Sequence, residues 1–90
     1  MESKTTERFR KSFDNLPDKI KEDAKKVFKI WKSNPYLKSL KFKKIHEKEN
    51  LYSVRIGISW RALGIKENDT MIWFWIGSHN DYDNLIKSLK

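Results

Sequence analysis

The sequence predicts an α+β domain in which a small antiparallel β-sheet packs against one long N-terminal helix, with a short helix at the C-terminus. Three observations predict it. Leu16, Ile20, Ala24, Val27, Phe28 and Trp31 recur at spacings of three and four, which draws one apolar stripe along a helix. Tyr52, Val54, Ile56 and Ile58 alternate with Ser53, Arg55, Gly57 and Ser59, the period of a half-buried strand. Met71 to Ser78 is apolar at both parities, as in a central strand covered on both faces.

Taken in order, residues 1–6 are polar and expected to fray. Phe9 and Phe13 suggest a short first strand or extended segment. The helix is expected from Leu16 to Lys32, with Pro17 at the first helical position, where a missing N–H costs nothing. Asp18, Glu22 and Asp23 sit toward its start and Lys25, Lys26, Lys29 and Lys32 toward its end, matching the macrodipole. Ser33-Asn34-Pro35 stops it. Tyr36 to Lys44 reads as a turn of helix passing into a basic extended piece, and His46 to Asn50 as a charged loop. Trp60 to Ile65 forms the hairpin partner of the preceding strand, and 66–69 is a second polar turn. Asp81 to Lys90 closes the chain as a short helix with Leu85, Ile86 and Leu89 on one side. The expected order is β-α-β-β-β-α in a single domain, 1–90.

Ninety residues leave room for one core, and a chain of this size buries only about 60% of its unfolded surface. A protein partner is therefore expected. There is no cysteine, which removes disulfides and thiolate metal sites and fits a cytoplasmic location. Met1 to Lys11 holds no apolar run of the secretory kind. The longest apolar stretch, Met71 to Gly77, is far short of the roughly 20 residues of a membrane span. Twenty basic residues against twelve acidic ones give a formal charge of +8. That field favours an anionic partner, and nucleic acid before membrane.

The chemistry concentrates in three places. Arg55 and Arg61 lie in strands that must pair, which sets two planar guanidiniums side by side and suits a phosphodiester. A salt bridge from Arg55 to Glu47 or Glu49 is the structural alternative. His79 follows the strand end Ile76-Gly77-Ser78, where glycine would let the backbone turn and bring the imidazole to the rim. Histidine works as acid or base near neutrality. Tyr82, three residues on, could stack a base or pack on the sheet. Lys41, Lys43 and Lys44 would track a phosphate backbone if they share a side. Trp73 and Trp75 have the same parity and read as one aromatic core face. His46 reads as a surface residue, and two isolated histidines make no metal site.

With Leu16-Pro17, Asn34-Pro35, Leu40-Lys41-Phe42-Lys43, Tyr52-Ser53-Val54-Arg55-Ile56, Trp60-Arg61-Ala62-Leu63-Gly64, Trp75-Ile76-Gly77-Ser78-His79 and Asp81-Tyr82 in this order, the chain resembles the RelE/ParE superfamily of type II toxins, in particular its RelE/HigB-like messenger-RNA-cleaving members. The resemblance spans Phe13 to Leu85 and implies a compact sheet with helices on one face. It implies a toxin held by a small antitoxin that cuts messenger RNA in the ribosomal decoding site, without metal or cofactor, by attack of a ribose 2′-hydroxyl. In that scheme Arg61 and Arg55 stabilise charge on the scissile phosphate, His79 is acid or base, and Tyr82 orients RNA. Ser53 stands where well-known RelE toxins carry lysine, so the base falls to His79 or Lys43. ParE-like relatives instead poison DNA gyrase and lack this set.

Overall fold

The structure, a computed structural model, describes residues 1–46 and 49–88. Its elements run β1 (Glu2–Thr5), α1 (Glu7–Asp14), α2 (Asp18–Ser33), a 3₁₀ turn (Lys38–Leu40), β2 (Lys43–Lys44), β3 (Leu51–Ile56), β4 (Trp60–Glu67), β5 (Thr70–Ser78) and α3 (His79–Ser88). The sheet order is β1-β5-β4-β3-β2. Neighbouring strands are antiparallel except β1, which lies parallel to β5. The α+β class and the long amphipathic helix are as the sequence predicts.

The N-terminus differs from expectation. Residues 2–5 do not fray: Glu2 to Thr5 pair with Thr70 to Trp73 as the edge strand β1. Phe9 and Phe13 lie not on a strand but on helix α1, which starts where the Thr6 hydroxyl accepts a hydrogen bond from the Phe9 N–H. That is an N-cap contact, and it supplies one of the partners a helix start lacks. Pro17 is the cap residue of α2 rather than its first helical residue. Leu89 and Lys90, expected in the last helix, lie outside the described residues.

Helices α1 and α2 cover one face of the sheet. Phe9, Ala24 and Trp31 meet Val54, Ile56, Ala62, Met71, Trp73 and Ile76 in one buried cluster. Trp31 and Trp73 pack edge to face, ring centres 5.3 Å apart, a favoured aromatic geometry. Gly64 makes this possible: a Cβ there would lie 2.8 Å from both Met71 Sδ and Trp73 Cε3.

Helix α3 packs on the opposite face, not beside α1 and α2 as the family resemblance implies. A β-bulge creates the seat for it. Leu63 pairs with Trp75 while Gly64 pairs with Trp73, leaving Phe74 as an extra residue in β5. Beyond Phe74 the alternation reverses. Trp73 therefore faces α2 with 1% exposure, whereas Trp75 faces the other way and packs on Tyr82 of α3, ring centres 6.5 Å apart. The two tryptophans do not share a face.

Candidate active site

The face that α3 only partly covers carries Ser53, Arg55, Arg61, Leu63 and Trp75, set there by the two-residue period of β3, β4 and the second half of β5. Arg55 and Arg61 are direct cross-strand partners. The turn between them is Gly57-Ile58-Ser59, with Gly57 at φ +61°, a conformation glycine adopts without a Cβ penalty. That turn anchors both guanidiniums. Arg55 Nε donates to the Gly57 carbonyl at 2.8 Å, and Arg61 Nη1 donates to the carbonyls of Trp60 at 2.8 Å and Ile58 at 3.3 Å.

Among the described residues no carboxylate pairs with either arginine. Glu47, one partner considered for Arg55, lies outside them. Burial and then the Arg55 charge push Arg61 below the ordinary arginine value, with Tyr82 and Asp83 opposing. The guanidinium stays charged at neutral pH. Two half-buried cations placed together, with no ion-paired carboxylate among the described residues, are primed for a doubly contacted anion.

His79 opens α3. Its backbone N–H donates to the Ser59 carbonyl at 2.6 Å, which ties the helix start to the arginine-bearing turn. Ser78 caps the helix, its hydroxyl accepting from the Asp81 N–H at 3.1 Å. The imidazole stacks on the Tyr82 ring, centres 6.2 Å apart and planes 24° apart. Its Nδ1 lies 3.4 Å from Asp83 Oδ2. Gly77 does not turn the chain: it pairs with Arg61 inside β5. It makes room instead, because a Cβ there would lie 2.7 Å from the Trp75 ring.

Two open cavities meet at this point. One, of about 510 Å³, is lined by Arg55, Arg61 and His79 with Ile58, Ser59, Ser78 and Asn80. The other, of about 420 Å³, adds Lys41, Lys43, Ser53, Tyr82 and Asp83 to the same three residues. Together they form one groove with the arginine pair and His79 at its middle.

Lys43 reaches the groove because it pairs with Ser53. Lys44 pairs with Tyr52 and so points to the other face, apart from Lys41 and Lys43. Tyr82 is buried, with its hydroxyl donating to Ser53 Oγ at 3.3 Å. It packs on the sheet and also borders the groove. His46 stands apart, its Nδ1 accepting from the Glu49 N–H at 3.2 Å. The sequence alone does not single out Asp83 and Asn80 as groove residues. The signal for Asp83 was its spacing of four from His79, which becomes contact only once a helix starts at His79. No group of three His, Cys, Asp or Glu among the described residues could hold a metal ion.

The sequence model of the ParE-like toxin domain family matches residues 18–84, three quarters of the chain. The chain belongs to that family. No curated protein sequence matches this toxin domain significantly. Its fold is shared by solved toxin structures at low identity. RelE of Methanococcus jannaschii, from a RelB–RelE antitoxin–toxin complex, superposes with a TM-score of 0.72 at 20% identity over 91% of this chain and 96% of that one. YafQ from Escherichia coli gives 0.71 at 10% identity over 90% and 96%. The isolated E. coli RelE toxin gives 0.68 at 15% identity over 99% and 98%. Likeness at this identity speaks for the toxin domain's fold alone.

Proposed function

We propose that this toxin domain is a messenger-RNA-cleaving enzyme of a type II toxin–antitoxin pair, acting in the cytoplasm on transcripts in the ribosomal decoding site. The observation that carries this reading is the juxtaposition of Arg55, Arg61 and His79 at the middle of one cationic groove. The groove takes the RNA backbone, with Lys41 and Lys43 along one arm. His79 Nε2 removes the proton from the ribose 2′-hydroxyl. The freed oxygen attacks the adjacent phosphorus, a 2′,3′-cyclic phosphate forms, and the 5′-oxygen leaves with a proton from the Lys43 ammonium. Arg55 and Arg61 hold the oxygens on which charge develops, the kind of fixed stabilisation that contributes most to such steps. Tyr82, buried between Trp75 and His79, backs the imidazole and so helps to orient the RNA through it. No cofactor takes part.

An antitoxin partner follows from the family and from the +8 charge, which an acidic protein segment would screen. The reading is tested with programmed ribosomes: the native chain cuts within decoding-site codons and Arg61→Met does not. The match to a ParE-like family model favours a second reading, block of DNA gyrase without chemistry. Inhibition of supercoiling by purified protein that leaves transcripts intact would decide for it.

A further inference from the structure

Asp83 is out of place in its surroundings. Lys41, Lys43, Arg55 and Arg61 line the same cavity, and a carboxylate among them works against a phosphate backbone. Its position supplies a reason for its presence. Asp83 sits one helical turn beyond His79 on α3, with Oδ2 3.4 Å from Nδ1. An ionised carboxylate only accepts hydrogen bonds, so the imidazole nitrogen facing it must carry the proton. The remaining nitrogen, Nε2, has no hydrogen-bond partner among the described residues, and His79 borders both arms of the groove.

We propose that Asp83 is a positioning residue that holds His79 as its Nδ1–H tautomer, leaving Nε2 bare as the base toward the groove. The inference rests on the nuclease reading for its consequence but not for its geometry. Three further contacts limit how the ring can move. The His79 N–H is fixed to the Ser59 carbonyl, Tyr82 lies against the ring face, and the Ser78 cap sets where α3 begins. A separation of 3.4 Å is long for a hydrogen bond, and such contacts tighten when substrate fills a site. Asp83 also favours the charged form of Arg61, so its removal must be examined with and without His79.

The molecule supplies its own contrast. His46 Nδ1 accepts a backbone hydrogen bond from Glu49, which places its proton on Nε2. A ¹H–¹⁵N two-bond correlation spectrum of the native chain at alkaline pH, where imidazole is neutral, should show opposite tautomers for the two histidines. Asp83→Ala should convert His79 to the Nε2–H form and leave His46 as it was. On programmed ribosomes, Asp83→Ala should lower the single-turnover cleavage rate by about tenfold or more. Its affinity for RNA should hold or rise, because a negative charge has left the groove. In a His79→Gln background the same substitution should lower the rate no further.

An unchanged His79 tautomer in Asp83→Ala overturns the proposal. So does an unchanged cleavage rate, or an equal loss of rate in the His79→Gln background. A native chain that cuts no RNA overturns the nuclease reading instead, and the spectrum still judges the pairing of Asp83 with His79.

Discussion

Arg55 and Arg61 stand directly opposite each other in the β3–β4 ladder, two like charges with no ion-paired carboxylate among the described residues. Folding disfavours the charged form of Arg61, through burial first and Arg55 second. A base whose folded pKa is depressed lowers stability at every pH below that value, and neutral pH lies well inside this range. Arg61→Met should therefore leave the chain as stable as before or raise Tm by about 2–4 °C, from about 0.5 kcal/mol of relieved repulsion discounted for solvent. The same change should slow transcript cleavage by about a hundredfold or more. Thermal unfolding beside a cleavage assay checks both; a large fall in Tm would sink the strain argument.

An anion should fill the gap. At constant ionic strength, inorganic phosphate raised to about ten times its Kd should stabilise the native chain by about 1.4 kcal/mol. The Arg55→Met/Arg61→Met double variant should not respond. Equal shifts in both proteins would point to a bulk salt effect.

Lys43 and Lys44 are adjacent in sequence but lie on opposite faces of β2. Lys43→Ala should weaken RNA binding and reduce the slope of log K against log salt by about 1. Lys44→Ala should do neither. A salt titration of binding to single-stranded RNA separates them, and matched effects would argue against the groove as the RNA path.

Gly64 lies beneath Trp73. The Cβ of Gly64→Ala would come within 2.8 Å of Met71 Sδ and Trp73 Cε3. Overpacking of this kind costs about 1–3 kcal/mol, read as a lower urea midpoint with an unchanged slope.

Tyr82 joins the site to the sheet through its hydroxyl, which donates to the buried Ser53 Oγ. Tyr82→Phe removes that donor, leaves the buried Ser53 Oγ without it and should cost about 1 kcal/mol, while keeping the ring against His79. Cleavage should persist at near-native rate, because the ring's contact with His79 rather than the hydroxyl is the proposed contribution. A rate collapse with native stability would assign the phenol a chemical role.

Much of this was legible in the residues. The three-and-four spacing from Leu16 to Trp31 reports α2 because the helix buries one stripe and solvates the rest. That the strands of Arg55 and Arg61 pair was legible from their adjacency, but their turn was not. Gly57, Ile58 and Ser59 carry the alternation of a strand yet lie between β3 and β4, with Ile58 exposed. Strand β1 was not legible: Glu-Ser-Lys-Thr has no apolar alternation and becomes a strand only because β5 offers a free edge. Phe9 and Phe13 are four apart, a helical spacing, but two residues are too few to fix a period. The Thr6 cap decides between helix and strand there. The His79–Asp83 contact stayed hidden because it needs the helix to begin at His79 rather than at Asp81.

The extra residue at Phe74 has a consequence for how this chain can change. Because Phe74 has no partner of its own in β4, losing it would leave Trp73 opposite Gly64, Trp75 opposite Leu63 and Ile76 opposite Ala62 in one unbroken ladder. Trp75 and Ile76 would keep their faces, and His79 would keep its place beside the arginines. A residue added between Trp75 and Ser78 has no such outlet, because a slip of one place turns every side chain after it to the other face. Strand β5 can therefore be shortened at Phe74, but lengthening it nearer the groove would carry His79 away from Arg55 and Arg61.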